Sequence, residues 1–152
     1  MAIDTAAIGR RLPEVTVDIE RGRLRLFAKA IGETDPVYVD LDAARAAGHP
    51  DLPVPPTFFC ALGHEQPDPF GWLDELGVDL RQVLHGEQSF TYHLVAYAGD
   101  RLTARPRITD IYARKGGALE FVVRETAVTR AGGEPVAELT DVVVVRNREV
   151  TA

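Results

Sequence analysis

Residues 52–63 read LPVPPTFFCALG, and this stretch determines the fold that the sequence predicts. Pro55 and Pro56 suit the first turn of a helix, where backbone N–H groups have no partner within the helix. Residues 57–62 are then apolar on every side, which predicts a helix buried all round, with Cys60 packed in the core. The rest of the chain must therefore supply elements that surround this helix.

The second half of the chain supplies these elements as strands. Apolar and polar residues alternate in SFTYHL and ALEFVV, and the Gly-rich stretches RKGGA and RAGGEP suit hairpin turns. The VVVV run near the end predicts a strand covered on both faces. Since hairpins join antiparallel strands, we predict an α+β hotdog fold, a curved antiparallel sheet wrapped around one central apolar helix. The strands are expected at residues 83–95, 101–114, 118–130 and 134–146.

Two shorter patterns before the central stretch predict further helices. In IERGRLRLFAKAIG, apolar residues that include Leu26 recur near helical spacing, with Asp18 as the N-cap and Gly32 as the C-terminal stop. DLDAARAAG predicts a short helix capped by Asp40 and stopped by Gly48. These helices precede the strands along the chain, as expected for an α+β protein.

Length and composition exclude several classes of protein. Residues 1–152 are expected to form a single domain. The net charge of -6 argues against a nucleic-acid or anionic-membrane binder, which needs a basic face. The single cysteine excludes an internal disulfide framework. No secretory signal and no apolar run of about 20 residues are recognised, so we expect a cytoplasmic protein that does not enter the membrane.

The stretch AIGETDPVYVD has the composition of a catalytic loop. Glu33 and Asp35 supply carboxylates, and Tyr38 supplies a hydrogen-bonding ring a few residues further along the chain. An acid and such a ring at this spacing are candidates for a proton-transfer pair. We therefore predict that Glu33, Asp35 and Tyr38 form the catalytic part of the site.

The histidines offer one further catalytic candidate. His85, in LHGEQ, lies at the start of a strand, from which its imidazole is a possible proton carrier. His64 begins an HExxH-like pattern, but Asp68 stands where the second metal-binding histidine is required, so no metal site is predicted. His49 and His93 are expected to be structural or exposed.

Three stretches together resemble the MaoC-like dehydratases, of the amino-terminal dehydratase domain type. They are FAKAIGETDPVYVD, AGHPDLPVPPTFF and LHGEQSFTYHLVAYAGDRL, and the resemblance covers about residues 10–146. It implies hydration of 2-enoyl thioesters of coenzyme A or acyl carrier protein to (R)-3-hydroxyacyl thioesters, or the reverse dehydration, with no metal or redox cofactor. It also implies edge-to-edge association into a homodimer or into a heterodimer with a second hotdog protein.

The loop differs from that of catalytic members, in which it reads Gly-Asp-x-Asn-Pro-x-His. Matched residue by residue, Glu33 stands at the Asp, Asp35 at the Asn and Tyr38 at the His. A phenol, with an ordinary pKa of about 10, is a poor substitute for an imidazole in proton transfer at neutral pH.

The start of the central helix differs as well. Catalytic members have His-Gly there, and a backbone N–H binds the thioester oxygen. Pro56 occupies that place here and has no N–H to donate. The resemblance therefore assigns substrate binding to Pro56, Thr57 and Phe58, with the N–H groups of Thr57 and Phe58 as the remaining donors.

Two functions of different classes remain open from the sequence. The first is an enzyme whose proton transfer uses Glu33 or Asp35 with Tyr38 or His85. The second is a non-catalytic subunit that binds an acyl chain and supports a partner carrying the Asp and His. A hotdog thioesterase ranks last, because that enzyme needs a carboxylate within the central helix and TFFCALG has none.

Overall fold

One antiparallel sheet of five strands forms the body of the computed structural model, which describes residues 2–147. The strand order across the sheet is β1-β3-β4-β5-β2. The strands are β1, Val15–Asp18; β2, Val83–Tyr92; β3, Arg101–Arg114; β4, Leu119–Arg130; and β5, Pro135–Arg146. The predicted fold and its four long strands are confirmed, although the strand expected at 83–95 ends at Tyr92.

Strand β1 is absent from the sequence prediction, because its four residues, VTVD, are too few for alternation to be recognised. It pairs with β3, where Val17 lies opposite Leu102, and forms the sheet edge away from β2. The prediction that Asp18 caps the first helix is wrong, since Asp18 is the last residue of β1. The first helix, α1, spans Arg21–Ala30 and follows Glu20.

Helix α1 buries a different face from the one that the apolar spacing predicts. Leu24 and Ala28, four residues apart, share one side of the helix and are fully buried, whereas Leu26 is 69% exposed. The helix ends as predicted, because Gly32 adopts a φ of 72°, a conformation that glycine accepts without steric cost.

Two shorter α-helices lie on either side of the central segment, α2 at Leu41–Ala46 and α3 at Gly71–Asp74. The predicted cap of α2 is confirmed, since Oδ1 of Asp40 accepts hydrogen bonds from the backbone N–H groups of Asp42 at 2.8 Å and Ala43 at 3.0 Å. These bonds satisfy donors that the first turn of a helix leaves free.

The central segment is a 3₁₀ helix over Pro56–Glu65, and it packs on the sheet with one side only. With three residues per turn, side chains three positions apart lie in one row. The exposed row is Thr57, Cys60 and Gly63. The buried residues are Phe58, Phe59 and Leu62. The predictions of a helix buried on every side and of a core position for Cys60 are therefore wrong.

Two apolar clusters cover the sheet. The first joins the central helix to one end of the strands, through Phe58, Phe59, Leu62, Leu102, Ala104, Val128, Ala137 and Leu139. The second joins α3 to the other end, through Trp72, Leu73, Ile108, Val122, Val143 and Val145. Strand β5 contributes to both and lies between β4 and β2. In its valine run, Val142 and Val143, which point to opposite faces, are both buried, as predicted for a strand covered on both faces.

Replacing Phe58 by aspartate is expected to lower the free energy of unfolding by more than about 3 kcal/mol, because it puts an unpaired charge in the core. Phe58 is 2% exposed, and its ring packs edge-on against that of Phe27, with 5.3 Å between the ring centroids. Urea unfolding followed by circular dichroism measures the loss. The control Leu26→Asp, on the exposed side of α1, should cost about 0.5 kcal/mol or less. Equal costs for the two variants would contradict this packing.

Candidate functional site

The loop after α1 uses its two carboxylates to hold its own backbone. Oε1 of Glu33 accepts the backbone N–H groups of Thr34 and Asp35, both at 2.8 Å. Oδ1 of Asp35 accepts the N–H of Val37 at 3.0 Å and caps a 3₁₀ turn that begins at Pro36. Short acidic side chains before a proline favour this arrangement, because they satisfy N–H groups that the turn leaves free. One oxygen of each carboxylate is therefore occupied within the loop.

Tyr38 ends the same turn, half-buried beside both acids. Burial raises the pKa of the Tyr38 hydroxyl above its ordinary value, and the negative charges of Glu33 and Asp35 raise the pKa further. The structure thus brings together the three loop residues that the sequence predicts as a site. At neutral pH, Tyr38 is a neutral hydrogen-bond donor.

A pocket of about 290 Å³ lies between this loop, the start of the central helix and the end of β2. We call it the loop pocket. Its lining includes Tyr38, Pro56, Phe59, Tyr92, His49 and His93. The Tyr92 hydroxyl donates a hydrogen bond to the Pro56 carbonyl at 2.9 Å, which ties β2 to the helix start. Burial, followed by a contribution from Cys60, raises the pKa of Tyr92, so this donor stays protonated.

The start of the central helix leaves one backbone donor free. Pro56 has no N–H, and the N–H of Phe58 already donates to the Pro55 carbonyl at 2.9 Å. The N–H of Thr57 has no hydrogen-bond acceptor within residues 2–147. Of the three predicted substrate-binding residues, Pro56 lines the loop pocket, Thr57 is exposed with its donor free, and the Phe58 side chain lies in the core.

A second pocket, of about 450 Å³, lies between the central helix, α3 and the sheet. We call it the sheet pocket. His85 lies here, on β2, and does not line the loop pocket with Tyr38. Phe59 lines both pockets and so stands between them. The structure therefore separates His85 from the three loop residues with which the sequence groups it.

His49 and His93 are site candidates that the sequence analysis leaves aside. Both line the loop pocket with Tyr38. The Nδ1 atom of His49 lies 3.2 Å from the Tyr97 hydroxyl, and His93 lies 3.5 Å from Glu138. The sequence feature that could have identified His49 is its position three residues before Leu52, in the loop that leads to the central helix.

Within residues 2–147, no group of three or more His, Cys, Asp or Glu side chains is arranged to hold a metal ion. In the same part of the chain, no helix has the length and apolar character needed to cross a bilayer.

Comparison with known families identifies the chain. The model of the FAS1-like dehydratase domain region matches residues 6–139. The chain belongs to the MaoC-like dehydratase family. The family to which the three sequence stretches point is thus confirmed.

Relatives of this MaoC-like protein match over nearly its whole length. A UPF0336 protein of Saccharopolyspora erythraea is 37% identical over 147 residues, which cover 96% of this chain and 93% of the relative. A chain of the HadBC (3R-hydroxyacyl-ACP dehydratase) complex from Mycobacterium tuberculosis is 26% identical with a TM-score of 0.76, covering 94% of this chain and 99% of that one. A chain of the ChsH1-ChsH2 complex from the same organism shares the fold, with 24% identity and a TM-score of 0.72. The match covers 94% of this chain and 91% of that one.

The hydroxyl of Tyr38 in this MaoC-like protein should lose its proton at a higher pH than an ordinary tyrosine, whose pKa is about 10. The difference in tyrosinate absorbance between wild type and Tyr38→Phe measures this, and Glu33→Gln should bring the transition to lower pH. Because the unfolded chain loses this proton first, wild type should also lose stability relative to Tyr38→Phe as the pH rises above about 10. An unshifted transition would contradict the environment described for Tyr38.

Proposed function

We propose that this chain is the acyl-binding subunit of a two-protein (R)-specific 2-enoyl-thioester hydratase, which also runs the reverse dehydration of 3-hydroxyacyl thioesters. The chain holds an acyl group carried by coenzyme A or acyl carrier protein, and its partner carries the Asp and His that move protons. This proposal rests on the hydrogen bonds and the tyrosine pKa in the loop at residues 33–38. Its acids bind their own backbone, and its one aromatic residue is a tyrosine with a raised pKa.

The chemistry of hydration explains why this loop is unsuited to proton transfer. Water must lose a proton as it adds to C3, and C2 must gain one, so the reaction favours groups with a pKa near the working pH. The neutral hydroxyl of Tyr38 is able to donate a hydrogen bond to a substrate, but it does not act as a base near neutral pH. Glu33 already accepts two N–H groups through one oxygen. We infer that this loop orients the substrate while the partner transfers the protons.

Two features suited to binding are retained. The free N–H of Thr57 at the start of the central helix is a donor for the thioester oxygen, where negative charge develops. The loop pocket beside it has aromatic and apolar walls that include Val54, Phe59 and Tyr92. Such a site binds an acyl thioester and polarises its carbonyl without a catalytic acid or base of its own.

The partner is proposed to join at strand β2. This strand forms the long edge of the sheet, and large apolar side chains on it and just beyond it are exposed. They are Leu84, Tyr92, Leu94 and Val95. An unpaired edge with apolar side chains favours the addition of a second sheet. Two structurally similar proteins, HadBC and ChsH1-ChsH2, are complexes of two proteins, which supports this arrangement.

An autonomous hydratase is the second candidate. It is favoured by one observation, the two imidazoles of His49 and His93 in the loop pocket with Tyr38. In that case Glu33 or Asp35 acts with one of these histidines, or His85 acts from the neighbouring pocket. The variants below separate this candidate from the two-protein enzyme.

The isolated chain is expected to hydrate crotonyl-coenzyme A and longer 2-enoyl thioesters at least about a hundredfold more slowly than the same chain mixed with an Asp/His-bearing hotdog partner, because general acid–base catalysis contributes about that much or more. The partner to be tested is a small hotdog protein that carries the Asp and His, sought among the products of genes that neighbour the gene for this chain. Turnover is measured as the decrease in absorbance when hydration removes the C2=C3 double bond.

The control is the same mixture with the partner's Asp and His replaced, which should be inactive. In the mixture, Glu33→Gln and Tyr38→Phe should raise KM more than they lower kcat. Rapid turnover by the isolated chain that is abolished by Glu33→Gln, His49→Ala or His93→Ala would establish the autonomous enzyme. Turnover lost only in His85→Ala would place the reaction on β2.

Replacing Leu84 by aspartate should prevent association at the β2 edge, because it places a charge on an apolar surface that a partner covers. Leu84 is 52% exposed, so the fold of the single chain should be unaffected. Light scattering is expected to show two chains per particle for wild type, or for the mixture with its partner, and one for Leu84→Asp. Leu26→Asp is the matched control. An unchanged mass for Leu84→Asp would move the interface elsewhere.

A further inference from the structure

A row of polar side chains crosses the buried face of the sheet between its two apolar clusters. In the strand register, Asp141 on β5 lies opposite Arg124 on β4 and, on its other side, opposite Gln88 on β2. All three side chains line the sheet pocket. On β5 the neighbours of Asp141 on this face are Leu139, in one cluster, and Val143, in the other.

The centre of this row is an ion pair between a buried aspartate and a half-buried arginine. Nε of Arg124 donates to Oδ1 of Asp141 at 2.9 Å, with Asp141 5% exposed. The Arg124 guanidinium also lies over the Trp72 ring, 4.9 Å from its centroid. Removing charges from water costs free energy, and apolar residues of similar size often stabilise a fold as well or better. The pair is therefore weak evidence for a role in stability alone. Polar groups that converge in a largely apolar pocket mark a candidate binding site.

The pair keeps hydrogen-bonding capacity for a ligand. No residue between 2 and 147 bonds Oδ2 of Asp141, yet no fully buried side-chain polar atom in this range lacks a partner. Oδ2 is therefore accessible, and Asp141 lines the sheet pocket. The two terminal nitrogens of Arg124 likewise make no hydrogen bond with the described residues. The pocket thus offers an acceptor and donors side by side, within otherwise largely apolar walls.

The position of the pocket relates it to the acyl chain. Phe59 lines both pockets, and Thr57, where the proposed thioester lies, is two residues before it. The acyl chain of that thioester would extend past Phe59 to reach the polar row. Its volume of about 450 Å³ lies within the range of about 300–1,000 Å³ that is common for small-molecule sites. The methyl end of an acyl chain, if placed there, would displace water from the ion pair without forming a hydrogen bond to replace it.

We propose that the sheet pocket binds the far end of the acyl chain and selects chains that carry a neutral hydrogen-bonding group there, above all a hydroxyl. A hydroxyl donates to Oδ2 of Asp141 and accepts from Arg124, so it satisfies both partners. A carboxylate gains the Arg124 donors but is repelled by the charge of Asp141 and has no proton to donate to Oδ2. A hydrocarbon end leaves both groups desolvated and without a hydrogen bond. This inference deepens the proposed function and rests on it for the identity of the chain as an acyl thioester.

Trp72 provides a direct test, because it is the one tryptophan of the chain and it lines the sheet pocket. The full-length protein is titrated with decanoyl-pantetheine and with ω-hydroxydecanoyl-pantetheine, following Trp72 fluorescence and confirming affinities by calorimetry. The hydroxyl-ended thioester should change the emission and bind about tenfold more tightly, the gain expected for hydrogen bonds to charged groups. Equal affinities, or no response of Trp72, overturn the proposal.

The double variant R124M/D141L removes both charges and retains side-chain volume, and it should reverse the preference toward decanoyl-pantetheine. The matched control is R107M/E125L, which removes an exposed cross-strand pair between β3 and β4 and should keep the wild-type preference. An unchanged preference in R124M/D141L overturns the proposal. Should that variant fail to fold, Asp141→Asn serves instead, and it should tighten binding of ω-carboxydecanoyl-pantetheine about tenfold, because the repelling charge is gone.

The outcomes separate this inference from the proposed function. A hydroxyl preference in binding, without any hydration in the presence of the partner, supports the sheet pocket and rejects the two-protein enzyme. Hydration of methyl-ended and hydroxyl-ended 2-enoyl thioesters at equal rates, with equal affinities, retains the enzyme and rejects the selective pocket.

Discussion

The structure depends on the packing of the central 3₁₀ helix against the sheet through Phe58, Phe59 and Leu62. Because side chains three residues apart share a row, burying these residues leaves the row of Thr57 and Cys60 exposed. The same packing sets the helix start beside the loop of Tyr38, where Tyr92 holds the Pro56 carbonyl. Both pockets are therefore bounded by one helix, and Phe59 belongs to each of them.

The buried face of the sheet combines two requirements that usually conflict. Stability comes from the apolar clusters at its two ends, which include Leu102 and Val128 at one end and Ile108 and Val122 at the other. The ion pair of Arg124 and Asp141 lies between them, where burial of the Asp141 charge costs free energy. Neither cluster includes the pair, so the apolar packing at each end of the sheet is formed by other residues.

Much of the fold is predictable from the sequence, and the exceptions have physical causes. The long strands follow from alternation and Gly-rich turns, but β1 pairs with β3 over four residues and leaves no periodic signal. Helical periodicity does not distinguish a 3₁₀ helix from an α-helix in a short apolar segment, so Cys60 is misplaced. The loop residues Glu33 and Tyr38 are local in sequence and are grouped correctly, whereas the neighbours of His85 and His49 depend on tertiary packing.

The sheet order also governs how the chain folds as it is synthesised. Strands β3, β4 and β5 pair with their sequence neighbours, through hairpins that form as soon as each strand is made. Strand β2 is made before all three, yet among the described strands it pairs only with β5, the last of them. Its backbone donors and acceptors stay unpaired on the ribosome until β5 emerges, and nascent segments of this kind are prone to mispairing. Before β5 is made, only β1, β3 and β4 can be paired, so completion of β5 both extends this sheet and brings β2 into it.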